Sequence, residues 1–261
     1  MTGPLSGLRV VVTRPRSQAA SLGELLERAG AEPIYLPVIE IADPPSFAEL
    51  DRAVGDLAQG AYQWVVFTSA NAAEKVLYRA LVAGVAELVH PSTKVAAVGR
   101  QTASLLADSG IVVDLVPEEF TGESLVDALG TGPGDIFLPR AADAPPTLVE
   151  GLEGSGWLVD QVAAYMNRPV EQDDPAADTV RRLEFDVLTF ASGSAVRAFA
   201  QFVAEPHELG VNTAEPPERL VAVIGPRTSE VAQELGFRRD IVASDHTAEG
   251  LVAALTEHIS R

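Results

Sequence analysis

The feature that most constrains the fold of this chain is an internal repeat. Arg14 and Arg140 both follow apolar, strand-like runs and stand 126 positions apart (140 − 14 = 126). The same spacing recurs at three further matches, namely Gly30 with Gly156, Gly99 with Gly225, and segment 121–129 with segment 247–255. One further match, Phe67 with Phe190, slips slightly to 123 (190 − 67 = 123). Self-similarity at a fixed spacing is the signature of a repeated structural unit. The sequence therefore predicts one α/β unit used twice.

The repeated unit alternates short apolar runs with amphipathic segments. Residues 8–13, LRVVVT, form a continuous apolar run of the kind expected in a strand buried on both faces. The segment after this run has apolar residues at helical spacing and ends at Gly30, a plausible helix C-cap. The same order of strand, turn and helix begins again near residues 64, 95, 134, 186 and 221. Alternation of this kind predicts parallel sheets with helices on their faces.

Composition narrows the class of protein. The 261 residues are enough for two modest domains, and the chain has no cysteine, so disulfides and thiolate sites are excluded. We see no signal peptide and no apolar run long enough for a membrane helix, and we expect a cytoplasmic protein. The net charge of −18 disfavours nucleic acid and anionic membranes as partners. An anionic substrate would have to be held by local groups, such as helix N-termini and arginines.

Six strand-to-helix turns carry the polar chemistry, and they read TRPRS, FTSAN, VGRQT, LPRAA, FASGS and IGPRTS. In open α/β sheets, ligands bind outside the carboxyl ends of the strands, where these turns lie. Ordinary helix capping explains any single turn. The set of six, four of which contain arginine, instead indicates a shared site for an anionic ligand. No phosphate-binding loop or GxGxxG motif is present. The scattered histidines predict no metal site, and Ser192 does not stand in a nucleophile elbow.

Three segments fall outside this alternation. Residues 35–45 and 162–175 are extended, bounded by proline, and occupy equivalent places in the two halves. Each could cross from one domain to the other, and the two crossings could pair. Tyr165 lies in the second crossing, where it is either a half-buried strand aromatic or a phenol that faces the ligand and can donate a proton. Residues 205–218 are expected to form a surface connection.

In their order along the chain, these segments resemble the uroporphyrinogen-III synthase family. The similar segments are VVVTRPRSQAASLGELLERAGAEPIYLPVIEI, FTSANAAEKV, VAAVGRQTASLL, GWLVDQVAAYMNRPV, LTFASGSAVRAF and VAVIGPRTSEVAQELG. The resemblance implies two similar parallel-sheet α/β domains, flavodoxin-like and three-layered, joined by a two-stranded β linker. It places residues 1–36 plus 170–261 in one discontinuous domain and residues 37–169 in the other.

The resemblance also implies an activity. Members of the family close hydroxymethylbilane, a linear tetrapyrrole, into uroporphyrinogen III with inversion of the last ring and loss of water. They use no metal or cofactor, and the substrate lies in a cleft between the domains. By resemblance, Tyr165 assists departure of the hydroxyl. The implied substrate-binding residues are Arg14, Ser69, Asn71, Arg100, Arg140, Ser192, Ser194 and Thr228, with Gly193 standing where the family commonly has proline.

The family further suggests a monomer that makes transient contact with the enzyme preceding it in the pathway. Two other functions stay open at this point. A domain of the same fold could sense a tetrapyrrole or another anion without catalysis. A two-domain anion binder of the periplasmic type is the weaker alternative, because the sequence shows no export signal.

Overall fold

The computed structural model describes residues 3–171, 175–203 and 219–260. Residue contacts divide the chain into two compact units, which we call unit 1 (Met1–Glu40 with Arg168–Arg261) and unit 2 (Ile41–Asn167). Whether residues 1–36 plus 170–261 and residues 37–169 fold as independent domains stays a prediction. The connection expected at 205–218 lies outside the described residues.

Strands and helices alternate along most of the chain, as the repeated pattern predicts. In chain order the elements are β1 (Arg9–Val12), α1 (Arg16–Arg28), β2 (Glu32–Tyr35), β3 (Ile39–Ala42), α2 (Ala48–Ala58), β4 (Trp64–Phe67), α3 (Ala70–Val82), β5 (Lys94–Ala97), α4 (Arg100–Asp108), α5 (Gly122–Leu129), β6 (Asp135–Ala141), α6 (Thr147–Gly154), β7 (Leu158–Pro169), α7 (Pro175–Arg181), β8 (Val187–Phe190), α8 (Gly193–Val203), β9 (Leu220–Val223), α9 (Pro226–Glu234), β10 (Ile241–Val242) and α10 (Ala248–Ile259).

The sheet of unit 1 has the strand order β10-β9-β8-β1-β2, and every neighbouring pair is parallel. The central strand β1 is apolar on both faces, because Val11 packs into one core cluster while Val10 and Val12 pack into the other. Pro33 has no backbone N–H to donate, and it lies in the edge strand β2, where a proline is tolerated.

The sheet of unit 2 has the order β3-β7-β6-β4-β5. The pairs β4–β5, β4–β6 and β6–β7 are parallel. Beyond β5, Leu115 forms an isolated parallel bridge with Ala96. The segments predicted to cross between domains, 35–45 and 162–175, overlap β3 and β7, which are neighbours at the other edge of this sheet.

The two units have the same spatial order once the repeat is applied. At the spacing found in the sequence, β1 corresponds to β6, β2 to β7 and β9 to β5, while β8 corresponds to β4 with the small slip. The order β9-β8-β1-β2 in unit 1 therefore matches β5-β4-β6-β7 in unit 2. The predicted fold class, two similar α/β units with parallel sheets, is confirmed.

Small structural details recur as well. Asp114 and Asp240 are 126 positions apart in the sequence (240 − 114 = 126). The carboxylate of Asp114 accepts a hydrogen bond of 2.8 Å from the backbone N–H of the second residue of β5, and the carboxylate of Asp240 accepts one of 2.8 Å from the second residue of β9. The hydroxyls of Thr121 and Thr247 cap α5 and α10 by accepting backbone N–H groups at 3.1 and 3.0 Å. These repeats in side-chain chemistry support a common origin for the two units.

Each sheet is covered on both faces, which gives three layers per unit. In unit 1, α1 and α10 pack on one face, and α7, α8 and α9 pack on the other. In unit 2, α5 and α6 pack on one face, and α2, α3 and α4 pack on the other. Within the described ranges, every helix is too short or too polar to cross a lipid bilayer.

Candidate functional site

At the carboxyl edge of each sheet, two neighbouring strands are followed by connections that run to opposite faces of the sheet. In unit 1 these strands are β1 and β8, since α1 covers one face and α8 the other. In unit 2 they are β6 and β4, which are followed by α6 and α3. Such switch points leave a crevice in which ligands of open α/β sheets bind. The predicted site residues follow these strands.

The switch point of unit 2 holds Tyr165. Its side chain is only 7% exposed, and its Oη lies 3.3 Å from the Oγ of Ser69, within hydrogen-bond distance. Ser69 is the N-cap of α3, and its Oγ also accepts the backbone N–H of Ala72 at 3.2 Å. The cap fixes the serine hydroxyl at the helix N-terminus, and the serine in turn orients the phenol. The ring is therefore buried while the phenol reaches a polar turn, and the role of the phenol as a proton donor stays a prediction.

A β-bulge directs Tyr165 to this place. Along the β6–β7 pair, Arg140 lies opposite Ala163 and Ala141 lies opposite Tyr165, so Ala164 is an extra residue. A bulge interrupts the alternation of side chains between the two faces of a strand and re-aims the next residue. Consistent with this, both Ala164 and Tyr165 are buried in the same cluster, although they are consecutive.

Arg140 occupies the end of β6 at the same edge. The pairing of β6 with β4 extends to Phe137, ahead of Pro139, which has no N–H to donate. The guanidinium that follows is buried, with 7% of the residue exposed, and its Nε and Nη1 have no hydrogen-bond partner. Burial lowers the pKa of Arg140 from its ordinary value, and the nearby phenol of Tyr165 opposes that shift. An unpartnered buried cation is suited to receiving negative charge.

Two further predicted residues of unit 2 lie at helix N-termini. Asn71 is the second residue of α3 and is half-buried. Arg100 is the first residue of α4, is exposed, and lies over the ring of Phe120 at 5.4 Å from its centroid. The N-cap of α4 is Gly99, which has no side chain to occupy the first N–H groups of the helix. That N-terminus can therefore accept an anion.

The corresponding edge of unit 1 brings together the serines after β8. The Oγ of Ser192 lies 3.0 Å from the Oγ of Ser194 and accepts the backbone N–H of Ala195 at 3.2 Å. Gly193 opens α8, and a Cβ there would lie 3.0 Å from a methyl of Val231. The glycine thus allows α8 and α9 to pack closely beside the serine turn.

Thr228 and Arg14 complete the predicted set in unit 1. Thr228 is the third residue of α9 and is 5% exposed. Arg14 follows β1 and is half-buried, and burial lowers the pKa of its guanidinium from the ordinary value while Glu249 opposes the shift. Each unit therefore holds one arginine in partial or full burial at its switch point.

The sequence analysis missed Thr102, which is the counterpart of Thr228 (228 − 102 = 126). It is the third residue of α4 and is likewise 5% exposed. The turns GRQT and GPRT already place a threonine three positions after the repeated glycine, so the internal alignment could have found it. Among the described residues, no group of three or more histidine or acidic side chains is placed to share a metal ion.

Comparison with known proteins gives a consistent result. The profile of a family described as uroporphyrinogen-III synthase HemD matches residues 20–253. A uroporphyrinogen-III synthase of Synechococcus elongatus is 33% identical over 259 residues, which cover 97% of this chain and 96% of that protein. The porphyrin biosynthesis protein HemD of Ruminiclostridium josui is 29% identical over 262 residues, 98% of this chain, and the chain spans 50% of that longer protein.

The fold has been seen in solved structures. A mutant uroporphyrinogen III synthase from the extremely thermophilic bacterium Thermus thermophilus matches with a TM-score of 0.70 at 21% identity, with 97% of this chain and 99% of that chain covered. At this identity the likeness concerns the fold, and it agrees with the two repeated α/β units described above.

Proposed function

The chain belongs to the uroporphyrinogen-III synthase family, and from this membership we propose how its residues act on hydroxymethylbilane. The enzyme closes this linear tetrapyrrole into uroporphyrinogen III, with inversion of the last ring and loss of water. A non-catalytic sensing module of the same fold is not favoured, because the similarity to a synthase extends over nearly the full length of both chains.

The observation that carries the proposal is the buried phenol of Tyr165 at the switch point of unit 2, whose Oη lies 3.3 Å from the Oγ of the capping serine Ser69. Loss of hydroxide from a hydroxymethylpyrrole leaves a cation that the electron-rich ring stabilises. A weak acid assists this departure by protonating the oxygen as the C–O bond breaks. We assign that role to Tyr165, and Ser69 holds the phenol in place.

The remaining work of the enzyme is positioning. The cation must be attacked at the substituted carbon of the last ring, which gives a spiro intermediate, whereas the spontaneous reaction gives the uninverted isomer. Holding the chain of rings in one conformation is an effective means of selecting one attack over another. The substrate has many carboxylates, and the protein can hold its conformation by binding them.

We propose that the polar turns at the strand ends bind these carboxylates. The chain as a whole carries a net charge of −18 and repels an anionic substrate. Local groups must therefore supply the attraction, and helix N-termini and arginines do so. The residues proposed for substrate binding are Arg14, Ser69, Asn71, Arg100, Arg140, Ser192, Ser194 and Thr228, and we include Thr102 because it is the counterpart of Thr228 in the repeat.

Several expectations accompany this function. A cytoplasmic location, a monomeric state, independence from cofactors and a transient contact with the enzyme that supplies hydroxymethylbilane all stay predictions.

The direct test uses the purified full chain and freshly prepared hydroxymethylbilane. The products are oxidised to porphyrins and the I and III isomers are separated by chromatography. We expect the III isomer to predominate with the protein and the I isomer to form without it. An isomer ratio that does not change as protein is added would refute the proposed function.

A further inference from the structure

The strands β2 of unit 1 and β7 of unit 2 are equivalent, and they begin with the same hydrogen bond. Glu32 and Leu158 stand 126 positions apart (158 − 32 = 126). Each donates its backbone N–H to a carbonyl oxygen just before the neighbouring strand, at 2.8 Å beside β1 and at 2.9 Å beside β6. Backbone groups of successive strand residues point alternately to the two sides of a strand. The next residue, Pro33 in β2 or Val159 in β7, therefore directs its backbone away from β1 or β6.

This outward position is blocked in unit 1 and open in unit 2. Pro33 has no N–H, and proline at the outer side of an edge strand is a means by which proteins prevent pairing with another chain. Val159 keeps its N–H, and by the same alternation Gln161 and Ala163 direct theirs to the same side. The start of β7 thus has the donors that β2 lacks.

The neighbouring strand β3 lies beside the end of β7. The backbone N–H of Val170 donates to the carbonyl oxygen of Val38 at 3.1 Å, and the side chain of Arg168 pairs with that of Glu40. These contacts place the four residues of β3 antiparallel to the last residues of β7, which has 12 residues. Within the described ranges, no strand pairs with the outer side of residues 158–163. Their outward backbone groups can therefore pair with an added strand.

A cavity of about 620 Å³ lies against this open part of β7. Three acidic and three apolar residues line it, namely Asp135, Glu153, Asp160, Trp157, Leu158 and Val159. No basic residue belongs to this lining. Asp160 is already paired with Arg52 at 2.9 Å, whereas Asp135 and Glu153 are exposed and have no ion-pair partner among the described residues. The cavity therefore offers free negative charge beside apolar surface, since Leu158 is 68% exposed.

Unit 1 lacks this combination. Asp135 corresponds to Arg9 (135 − 9 = 126), so a basic residue stands where unit 2 has an acidic one. Asp160 corresponds to Ile34 (160 − 34 = 126), which is buried and apolar. The open N–H of Val159 and the acidic cavity thus occur together in one unit, although the two units share their strand order. This coincidence indicates a binding surface.

The charge of the cavity decides what it binds. A second copy of this chain would place one acidic cavity against another, and each copy carries a net charge of −18. Like charges that face each other across paired strands are destabilising. An extended segment with basic side chains would instead place its charged ends near Asp135 and Glu153. The aliphatic parts of these long side chains can pack on Leu158.

We propose that residues 158–163 of β7 bind an extended, arginine- or lysine-rich segment of a partner protein as an additional strand. In strand addition, main-chain hydrogen bonds provide the affinity and pockets for alternate side chains provide the specificity. The cavity lies at the amino ends of β6 and β7, whereas the phenol of Tyr165 lies at the carboxyl end of the sheet. The inference is therefore independent of the proposed function.

The test uses the full chain and a fluorescently labelled peptide of alternating arginine and threonine, with binding followed by anisotropy. We expect saturable binding that weakens as salt is added, and no comparable binding when glutamate replaces arginine in the peptide. Val159→Pro copies the outer edge of unit 1 and should weaken binding about 10-fold, because a main-chain hydrogen bond is lost and its acceptor is left unpaired. The matched control Val159→Ala keeps the N–H and should bind nearly as well as wild type.

Two charge reversals separate the cavity from the overall charge. Glu153→Lys should weaken binding about 5-fold, since it replaces an attraction by a repulsion. Asp108→Lys changes the net charge equally, but at the end of α4, which follows the opposite edge strand β5, and it should have little effect. In the complex, hydrogen exchange at the backbone N–H groups of Val159 and Gln161 should slow, because both become hydrogen-bonded.

Several results would overturn the inference. They are failure of the arginine peptide to bind, equal binding of the glutamate peptide, or an affinity that Val159→Pro leaves unchanged. A dimer of the chain in sedimentation that Val159→Pro abolishes would also overturn it, because a second copy would then occupy the edge. Circular dichroism of each variant checks that the fold is retained. Formation of the III isomer should stay near the wild-type rate in Val159→Pro, so failure of this inference leaves the proposed function standing.

Discussion

Replacing Arg140 with methionine should raise the free energy of unfolding of the protein while it lowers the enzymatic activity. The substitution removes a guanidinium whose Nε and Nη1 are buried without partners and puts an apolar side chain of similar length in its place. Buried charges are often replaced by apolar groups with a gain in stability, because the desolvation penalty disappears. Active sites commonly hold such unfavourable groups, and the rest of the fold compensates.

The expected size follows from the two unpartnered atoms. A buried polar group without a partner costs about 1–3 kcal/mol, so two of them correspond to about 2–6 kcal/mol. Methionine is smaller than arginine, and the space left behind takes back about 1–2 kcal/mol. The net gain in the free energy of unfolding is then about 0–5 kcal/mol. In a unit of this size each kcal/mol raises Tm by about 3–5 °C.

Differential scanning calorimetry and urea unfolding measure this change. The matched control is Arg14→Met, since Arg14 is half-buried and, among the described residues, it is Arg140 whose buried nitrogens are unpartnered, so this control should raise Tm less. A fall in Tm for Arg140→Met, with no fall for Arg14→Met, would refute the reasoning. It would mean that the buried guanidinium is stabilised by the folded state.

Two further predictions concern stability. Gly55→Ala in α2 should raise the free energy of unfolding by about 0.5–1 kcal/mol, because a Cβ at this position meets open space. Gly250→Ala in α10 should lower the free energy of unfolding, because a Cβ there would lie 2.1 Å from the carbonyl oxygen of Asp245. Urea midpoints that move in the same direction for both variants would contradict this. Burial and a hydrogen bond to Asp160 raise the pKa of Tyr62 above its ordinary 10.0. The protonated phenol therefore stabilises the folded protein fully at pH values below that ordinary pKa, and this stabilisation is lost as the pH rises through the higher pKa of the folded state. Tyr62→Phe should therefore flatten the alkaline fall in stability, and identical pH profiles of urea unfolding for the two proteins would count against the assignment.

Much of the fold could be predicted from the sequence, because the residues that repeat are ones that determine backbone conformation. Gly30 and Gly156 follow α1 and α6 with φ values of 94° and 89°, a left-handed conformation that favours glycine, so they mark equivalent helix ends. Continuous apolar runs identified the buried parallel strands. The strand order itself was not predictable, since no local pattern shows which strands become neighbours.

The candidate site was predicted only in part. Turn chemistry indicated the polar turns that contain Ser69 and Ser192, because capping serines have a local signature, and the family resemblance then singled out these two residues. The bulge at Ala164 has none, and it decides where Tyr165 points. The burial of Arg140 could not be foreseen either, since it arises from packing around the strand end and arginine is usually exposed. Thr102 was within reach of the internal alignment and was overlooked.

The role proposed for Tyr165 is donation of the proton that starts ring closure. It is tested most directly by the rate of III-isomer formation in Tyr165→Phe, with Tyr62→Phe as the control, since Tyr62 is also a buried tyrosine of unit 2 but is bound to Asp160. We predict a loss of about 100- to 10,000-fold for Tyr165→Phe, the range of general acid catalysis, and a rate close to wild type for Tyr62→Phe. Equal rates of III formation in wild type and Tyr165→Phe would contradict the account.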